Sequence, residues 1–226
     1  MIAEEAATLA TRDRVSLEAR LGLPPTPGGG VVICHPHPLY GGDMDNPVVV
    51  RVAEVCNELG LATLRFNFRG VGASTGHHGH GRDERHDVAA ALAHLASVLP
   101  TGAPLGLVGY SFGAAMAANL ASEPADFPPL TAMALIAPPL VMTGDEPFTA
   151  VARLAVRLLV VAGDHDEYCP LPALQALGQR VPSAEIKIIE GANHFFFGKL
   201  YPLGQAVAAW GRALEARQAG RGHGAG

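Results

Sequence analysis

The chain reads as an α/β fold, a mostly parallel sheet with helices on both faces. Two observations carry that reading. Short apolar runs recur from residue 31 onward, and most are followed by a segment of helical periodicity. The runs are also continuously apolar rather than alternating, as strands covered on both faces are.

Taken in order, Val31-Val32-Ile33-Cys34 is the first such strand, and a loop runs from it to Asn46. Asn46 suits an N-cap and Pro47 a first helical position, so a helix is expected over residues 48–59, stopped by Gly60. Residues 61–68 form the next strand, which ends in the glycine-rich turn Gly70-Val71-Gly72-Ala73-Ser74-Thr75-Gly76. Asp83 suits the cap of a helix through AAALAHLASVL, closed off by Pro100. Residues 105–110 are a strand followed at once by the small-residue helix AAMAANLAS. Residues 130–137 and 158–162 are two more buried strands, 184–189 is the last, and 202–217 suits a terminal helix. Residues 13–24 are expected to add an antiparallel edge hairpin. The whole of 1–226 is expected to be one domain, with flexible flanks at about 1–12 and 218–226.

Composition excludes several function classes. Hydrophobic residues make up 49% and charged residues 16%, which rules out a disordered chain. The net charge is −5 and the basic residues form no stripe, so neither nucleic acid nor an anionic membrane is an expected partner. The N-terminal segment is acidic where a secretory signal needs a positive start, and no run approaches the ~18 apolar residues of a membrane span. Three cysteines, Cys34, Cys56 and Cys169, lack disulfide or metal spacing. A cytoplasmic protein is expected, and nothing in the sequence sets its oligomeric state.

The pattern G-x-S-x-G occurs twice, around Ser111 (Gly109-Tyr110-Ser111-Phe112-Gly113) and around Ser74 (Gly72-Ala73-Ser74-Thr75-Gly76). A nucleophile turn needs a strand before it, a helix after it, and flanking glycines that permit the tight bend. Ser111 has all three. Ser74 runs into His77-His78-Gly79-His80-Gly81, which cannot start a helix, so it reads as a polar turn residue.

A serine hydroxyl needs a base to take its proton and an acid to orient that base. In strand–turn–helix hydrolases these follow in the order serine, acid, histidine, each at the C-terminal end of a strand. LLVVAGDHDEYCP supplies Asp164 and Asp166, and IKIIEGANHFFFG supplies His194. Asp164 follows directly on its strand, whereas Asp166 lies further out, where it can turn toward the histidine loop. Asp166 is therefore preferred, with Asp164 as a loop-stabilising acceptor. Acyl transfer also needs two N–H donors for the oxyanion. One is expected from Phe112 and the other from the loop His35-Pro36-His37-Pro38-Leu39-Tyr40, where prolines donate nothing. The His37 amide is the first choice, with Leu39 or Tyr40 behind it.

Four motifs in this order, including the loop HPHPLYGGDMDN and the segment FNFRGVGASTG, resemble the α/β-hydrolase superfamily, within it small bacterial serine hydrolases of the esterase and dienelactone-hydrolase kind. The resemblance covers residues 15–215. It implies an α/β-hydrolase fold with a minimal lid or none, His37 in the oxyanion hole, Asp166 at the fourth position of a G-x-x-D turn from Gly163, and His194 as the base. Many relatives have Asp where this chain has Asn67, and Arg69 beside it is expected to be structural.

The expected chemistry is hydrolysis of small soluble carboxylic esters through an acyl-serine, without cofactor or metal. The same three residues also serve thioesterases, lactonases and peptidases. Tyr40, Tyr110, Leu140, Met142 and Phe195 are the substrate-binding candidates, and Phe196 and Phe197 suit either pocket or core. Three other readings are weaker. A dinucleotide fingerprint fails at Thr75, where its third glycine should stand, and no apolar helix follows. A metal site at His77, His78 and His80 lacks further ligands, and the loop is expected to be solvated. A binding protein that kept only the fold would have lost one of the three residues, and none is missing.

Overall fold

The structure is a computed structural model that describes residues 2–122 and 127–219. Its strands are β1 (Glu4–Ala10), β2 (Ser16–Gly22), β3 (Gly30–Cys34), β4 (Ala62–Phe66), β5 (Leu105–Tyr110), β6 (Ala132–Ile136), β7 (Arg157–Gly163) and β8 (Glu185–Ile189). Its helices are α1 (Pro47–Glu58), α2 (Glu84–Val98), α3 (Phe112–Asn119), α4 (Leu140–Thr143), α5 (Glu146–Ala150), α6 (Leu171–Arg180) and α7 (Leu200–Ala219). The strands form one sheet in the order β1-β2-β4-β3-β5-β6-β7-β8. From β4 to β8 every pair is parallel, whereas β1 with β2 and β2 with β4 are antiparallel.

The period of two along each strand divides its side chains between two cores. Val31 and Ile33 of β3 join Leu159 and Val161 of β7 beneath α1 and α7, where Val52, Leu203 and Trp210 close the layer. Val32, Cys34, Leu158 and Val160 face the other way, onto Leu92 of α2, Ala117 of α3, Phe148 of α5 and Leu177 of α6. Continuous apolar runs are what this two-faced burial demands.

Local signals explain the helix starts. The Asn46 side chain accepts the N–H of Val48 and Pro47 opens α1. Asp83 stands at the N-cap of α2 but makes no capping bond, which corrects its expected role. The neighbouring Glu84 carboxylate turns back instead and takes the amides of Gly79 and Gly81.

Two further expectations are corrected. Residues 4–10, taken from the sequence as a flexible flank, are an edge strand, and the hairpin is formed with β2 rather than within residues 13–24. The antiparallel ladder supplies the order that β1's few apolar residues do not, with Leu9 buried and Glu4 held by Arg65. The helix α6, unassigned in the sequence, buries only Leu174 and Leu177. At the other terminus, α7 runs to Ala219, and residues 220–226 lie outside the described residues.

Candidate active site

β5 ends at Tyr110 and α3 begins at Phe112, so Ser111 alone makes the turn, at φ 54° and ψ −114°. Such a backbone costs a non-glycine residue about 1–3 kcal/mol, and its surroundings must hold it. The Ser111 N–H donates to Ile136 O of β6 at 2.9 Å, and the flanking glycines let backbone pass within contact of backbone. A Cβ on Gly113 would lie 2.4 Å from Cys34 O, and one on Gly109 would lie 2.3 Å from Gly113 O.

The ends of β7 and β8 bring up the other two residues. His194 Nε2 lies 2.9 Å from Ser111 Oγ, and His194 Nδ1 lies 2.9 Å from both carboxylate oxygens of Asp166. Asp166 is buried, and its Oδ1 also accepts the amides of Tyr168 and Cys169. A carboxylate so held fixes the imidazole with Nδ1 protonated and Nε2 free to receive the serine proton. Asp164 does not reach the histidine. Its Oδ1 is buried without a hydrogen-bond partner among the described residues, so the expected loop-stabilising bond is not made there.

The loop after β3 comes alongside. Leu39 N–H donates to His37 Nδ1 and Tyr40 N–H to His37 O. Both fallback amides are therefore occupied, whereas the His37 amide has no partner among the described residues. Phe112 is the first residue of α3, where helix N–H groups have no intrahelical acceptor. The His37 and Phe112 rings meet at 4.9 Å between centroids.

These elements match known proteins. The family model described as an alpha/beta hydrolase domain matches residues 31–201. This chain belongs to the alpha/beta hydrolase family. A structure described as an alpha-beta serine hydrolase homologue from Coxiella burnetii shares 33% identity, covering 92% of this chain and 97% of that one, with a TM-score of 0.80. XC6422 from Xanthomonas campestris, described as an a/b serine hydrolase without lid, shares 30% identity over 93% and 94% of the two chains, with a TM-score of 0.79. The uncharacterised protein RP471 of Rickettsia prowazekii is 31% identical over 198 residues, which is 84% of this chain and 82% of RP471.

In this alpha/beta hydrolase, too, no lid intervenes among the described residues. Residues 138–156 fold into α4, α5 and a short 3₁₀ turn, Val151–Arg153. Ser111 opens onto a cleft of about 570 Å³ lined by Tyr40, Tyr110, Met142, Tyr168 and Phe195, among others. Leu140 is the exception among the expected pocket residues. The single turn of α4 points it into the core and leaves Val141 and Met142 exposed. Phe196 is likewise core, and Phe197 stacks on Phe195 in solvent. A depression of about 370 Å³ bordered by Thr11, Ala90 and Leu120 includes no residue of the serine, histidine and aspartate group.

The remaining motif residues support the site from below. His35 is fully buried. Its Nε2 accepts the Phe68 N–H at 3.0 Å and its Nδ1 meets Pro36 O at 2.6 Å, which sets the proton on Nδ1. Burial pushes its pKa down to about 4, so it ties the β3 and β4 loops together as a neutral ring. Asn67 Oδ1 accepts the Met44 N–H, and its Nδ2 donates to Glu18 Oε2, both at 2.8 Å. Ser74, the second motif serine, donates to Asn67 O and accepts the Glu18 N–H, so its hydroxyl is used up in the turn. Arg69 binds Asp87 through Nε and Nη2 and Asp13 through Nη1. Burial raises the Asp87 carboxyl to about 6 while Arg69 pulls the other way.

The sequence missed one part of the cleft. His78 is not a solvated loop residue: its side chain is 10% exposed, and it packs on His37 and Phe112. Its loop is fastened by the Glu84 carboxylate, which accepts the amides of Gly79 and Gly81. No group of three or more metal-ligating side chains forms among the described residues.

Proposed function

We propose that the chain is a serine carboxylesterase acting on small soluble esters. The observation that carries this reading is the chain of contacts from Ser111 Oγ through His194 to Asp166. In the proposed reaction His194 Nε2 takes the Ser111 proton as Oγ attacks the ester carbonyl carbon. The tetrahedral intermediate places its negative oxygen between the amides of Phe112 and His37. His194 then returns the proton to the leaving alkoxide, which departs as the alcohol and leaves an acyl-serine. A water, deprotonated by the same nitrogen, attacks the acyl carbon, and the carboxylic acid leaves as Ser111 recovers its proton.

Asp166 holds the imidazole in one tautomer and stabilises it when it is positively charged. The lidless cleft suits short acyl groups and needs no lipid surface to open it. Hydrolysis of p-nitrophenyl butyrate by wild type and Ser111→Ala tests the proposal, with an expected loss of roughly 10³-fold or more. A fluorophosphonate probe should label the wild type and not the variant. Near-normal hydrolysis by Ser111→Ala would overturn the assignment.

A further inference from the structure

One wall of the cleft carries three histidines. His37, His78 and His80 all line it, and its lining includes no Asp, Glu, Lys or Arg. The three rings form a connected group, with centroids 5.1 Å apart for His37 and His78 and 5.2 Å for His78 and His80. The His37 and His78 rings each pack against Phe112, so the group adjoins the turn that carries Ser111.

Their donors are partly set. The Leu39 N–H occupies His37 Nδ1, so neutral His37 carries its proton on Nε2. His78 Nδ1 lies 2.7 Å from Glu84 Oε1, outside hydrogen-bond alignment but well within ion-pair range. Glu84 is fully buried and already accepts two backbone amides. The titratable groups that face His78 are Glu84 from α2, His37 from the β3 loop and His80 from its own loop. Positive charge on one imidazole opposes charge on the next, as His37 shows: burial lowers its pKa, His78 and His80 lower it further, and the buried Glu84 carboxylate pulls the other way. Glu84 offsets that repulsion from behind His78, and the open side of the three rings faces the cleft with no carboxylate of its own.

We propose that this histidine wall is a subsite for a carboxylate, so that the preferred substrate is an ester whose acyl part ends in a carboxylate group. The proposal deepens the esterase reading of the same cleft and rests on it for the turnover step. By linkage, anion binding takes up protons at the wall, so affinity for such an ester rises as the pH falls.

Binding to Ser111→Ala, measured by calorimetry, tests the subsite without turnover. Monomethyl succinate and methyl butyrate are the probes, alike in size and different in charge. At pH 6 the succinate ester is expected to bind about tenfold more tightly, with the difference shrinking at pH 8. His78→Phe in the same background should abolish the preference while keeping the ring packing, and His80→Gln, at an exposed position, should reduce it. Equal binding of the two esters at pH 6, or a preference unchanged in both variants, would overturn the subsite. Loss of the esterase reading would appear separately, as fluorophosphonate labelling that does not depend on Ser111.

Discussion

The Tyr110 hydroxyl donates to the backbone carbonyl of His194 at 3.0 Å. The strand that delivers Ser111 therefore also holds the loop that delivers the histidine. Burial raises the Tyr110 hydroxyl above its usual pKa, which keeps it a donor. Tyr110→Phe preserves the ring against Phe196 and removes only this bond. We expect a stability loss of about 1 kcal/mol and a lower kcat with KM little changed. Urea unfolding and steady-state kinetics on p-nitrophenyl butyrate read the two effects.

The two aspartates of the β7 turn should separate sharply. Asp166→Asn leaves a neutral side chain against His194 Nδ1, which favours the wrong imidazole tautomer, and kcat should fall by about 10⁴-fold. Asp164→Asn touches neither His194 nor Ser111 and should keep kcat within about threefold of wild type. Assaying the two purified variants side by side decides between them, and equal losses would reject the assignment of Asp166.

Asn67 accepts from one neighbour and donates to the other, which an aspartate cannot do. Asn67→Asp would set a second carboxylate 2.8 Å from Glu18 Oε2. The expected cost near neutral pH is about 1–3 kcal/mol. Glu18→Gln in the same chain restores a donor facing the new carboxylate and should recover part of it, because Glu18 Oε2 also accepts the Ala73 N–H, which a Gln amide nitrogen at that position cannot do. Thermal unfolding of the single and double variants measures the recovery.

His35 should make the protein acid-sensitive. Its folded pKa of about 4 lies below the unfolded value of 6.5, so between these pH values the unfolded chain binds more protons. Stability from this group is present above about pH 6.5 and is lost as the pH falls toward 4, by up to about 3 kcal/mol. His35→Asn removes that dependence while losing stability at pH 8. Unfolding free energies at pH 8 and pH 4.5 for both proteins give the comparison.

Sequence and structure agree wherever the physical demand on a residue is local and strong. A strand buried on both faces must be apolar along its length, and Val31-Val32-Ile33-Cys34 shows it. A turn as tight as that at Ser111 admits almost nothing but glycine at its flanks, so Gly109 and Gly113 announce it. β1 was hidden because an edge strand needs partners more than hydrophobicity, and its order comes from β2. The helix α6 was hidden because two buried leucines make too narrow a stripe. Leu140 and Met142 look alike as apolar residues, and only the direction of one helical turn separates core from cleft. His78 was concealed for a different reason: the carboxylate that organises its loop sits in the next helix.

The contact between Gly113 and Cys34 O has a bearing on how such a protein diversifies. The turn at Ser111 and the start of the His37 loop meet main chain to main chain, with no side chain between them. The spacing between Ser111 and the His37 loop is thus set by main chain rather than by the side chains that furnish the walls of the cleft. Tyr40, Met142 and Phe195, which line the cleft, take no part in that contact. Substrate preference is free to drift across descendants while the machinery beneath it stays the same.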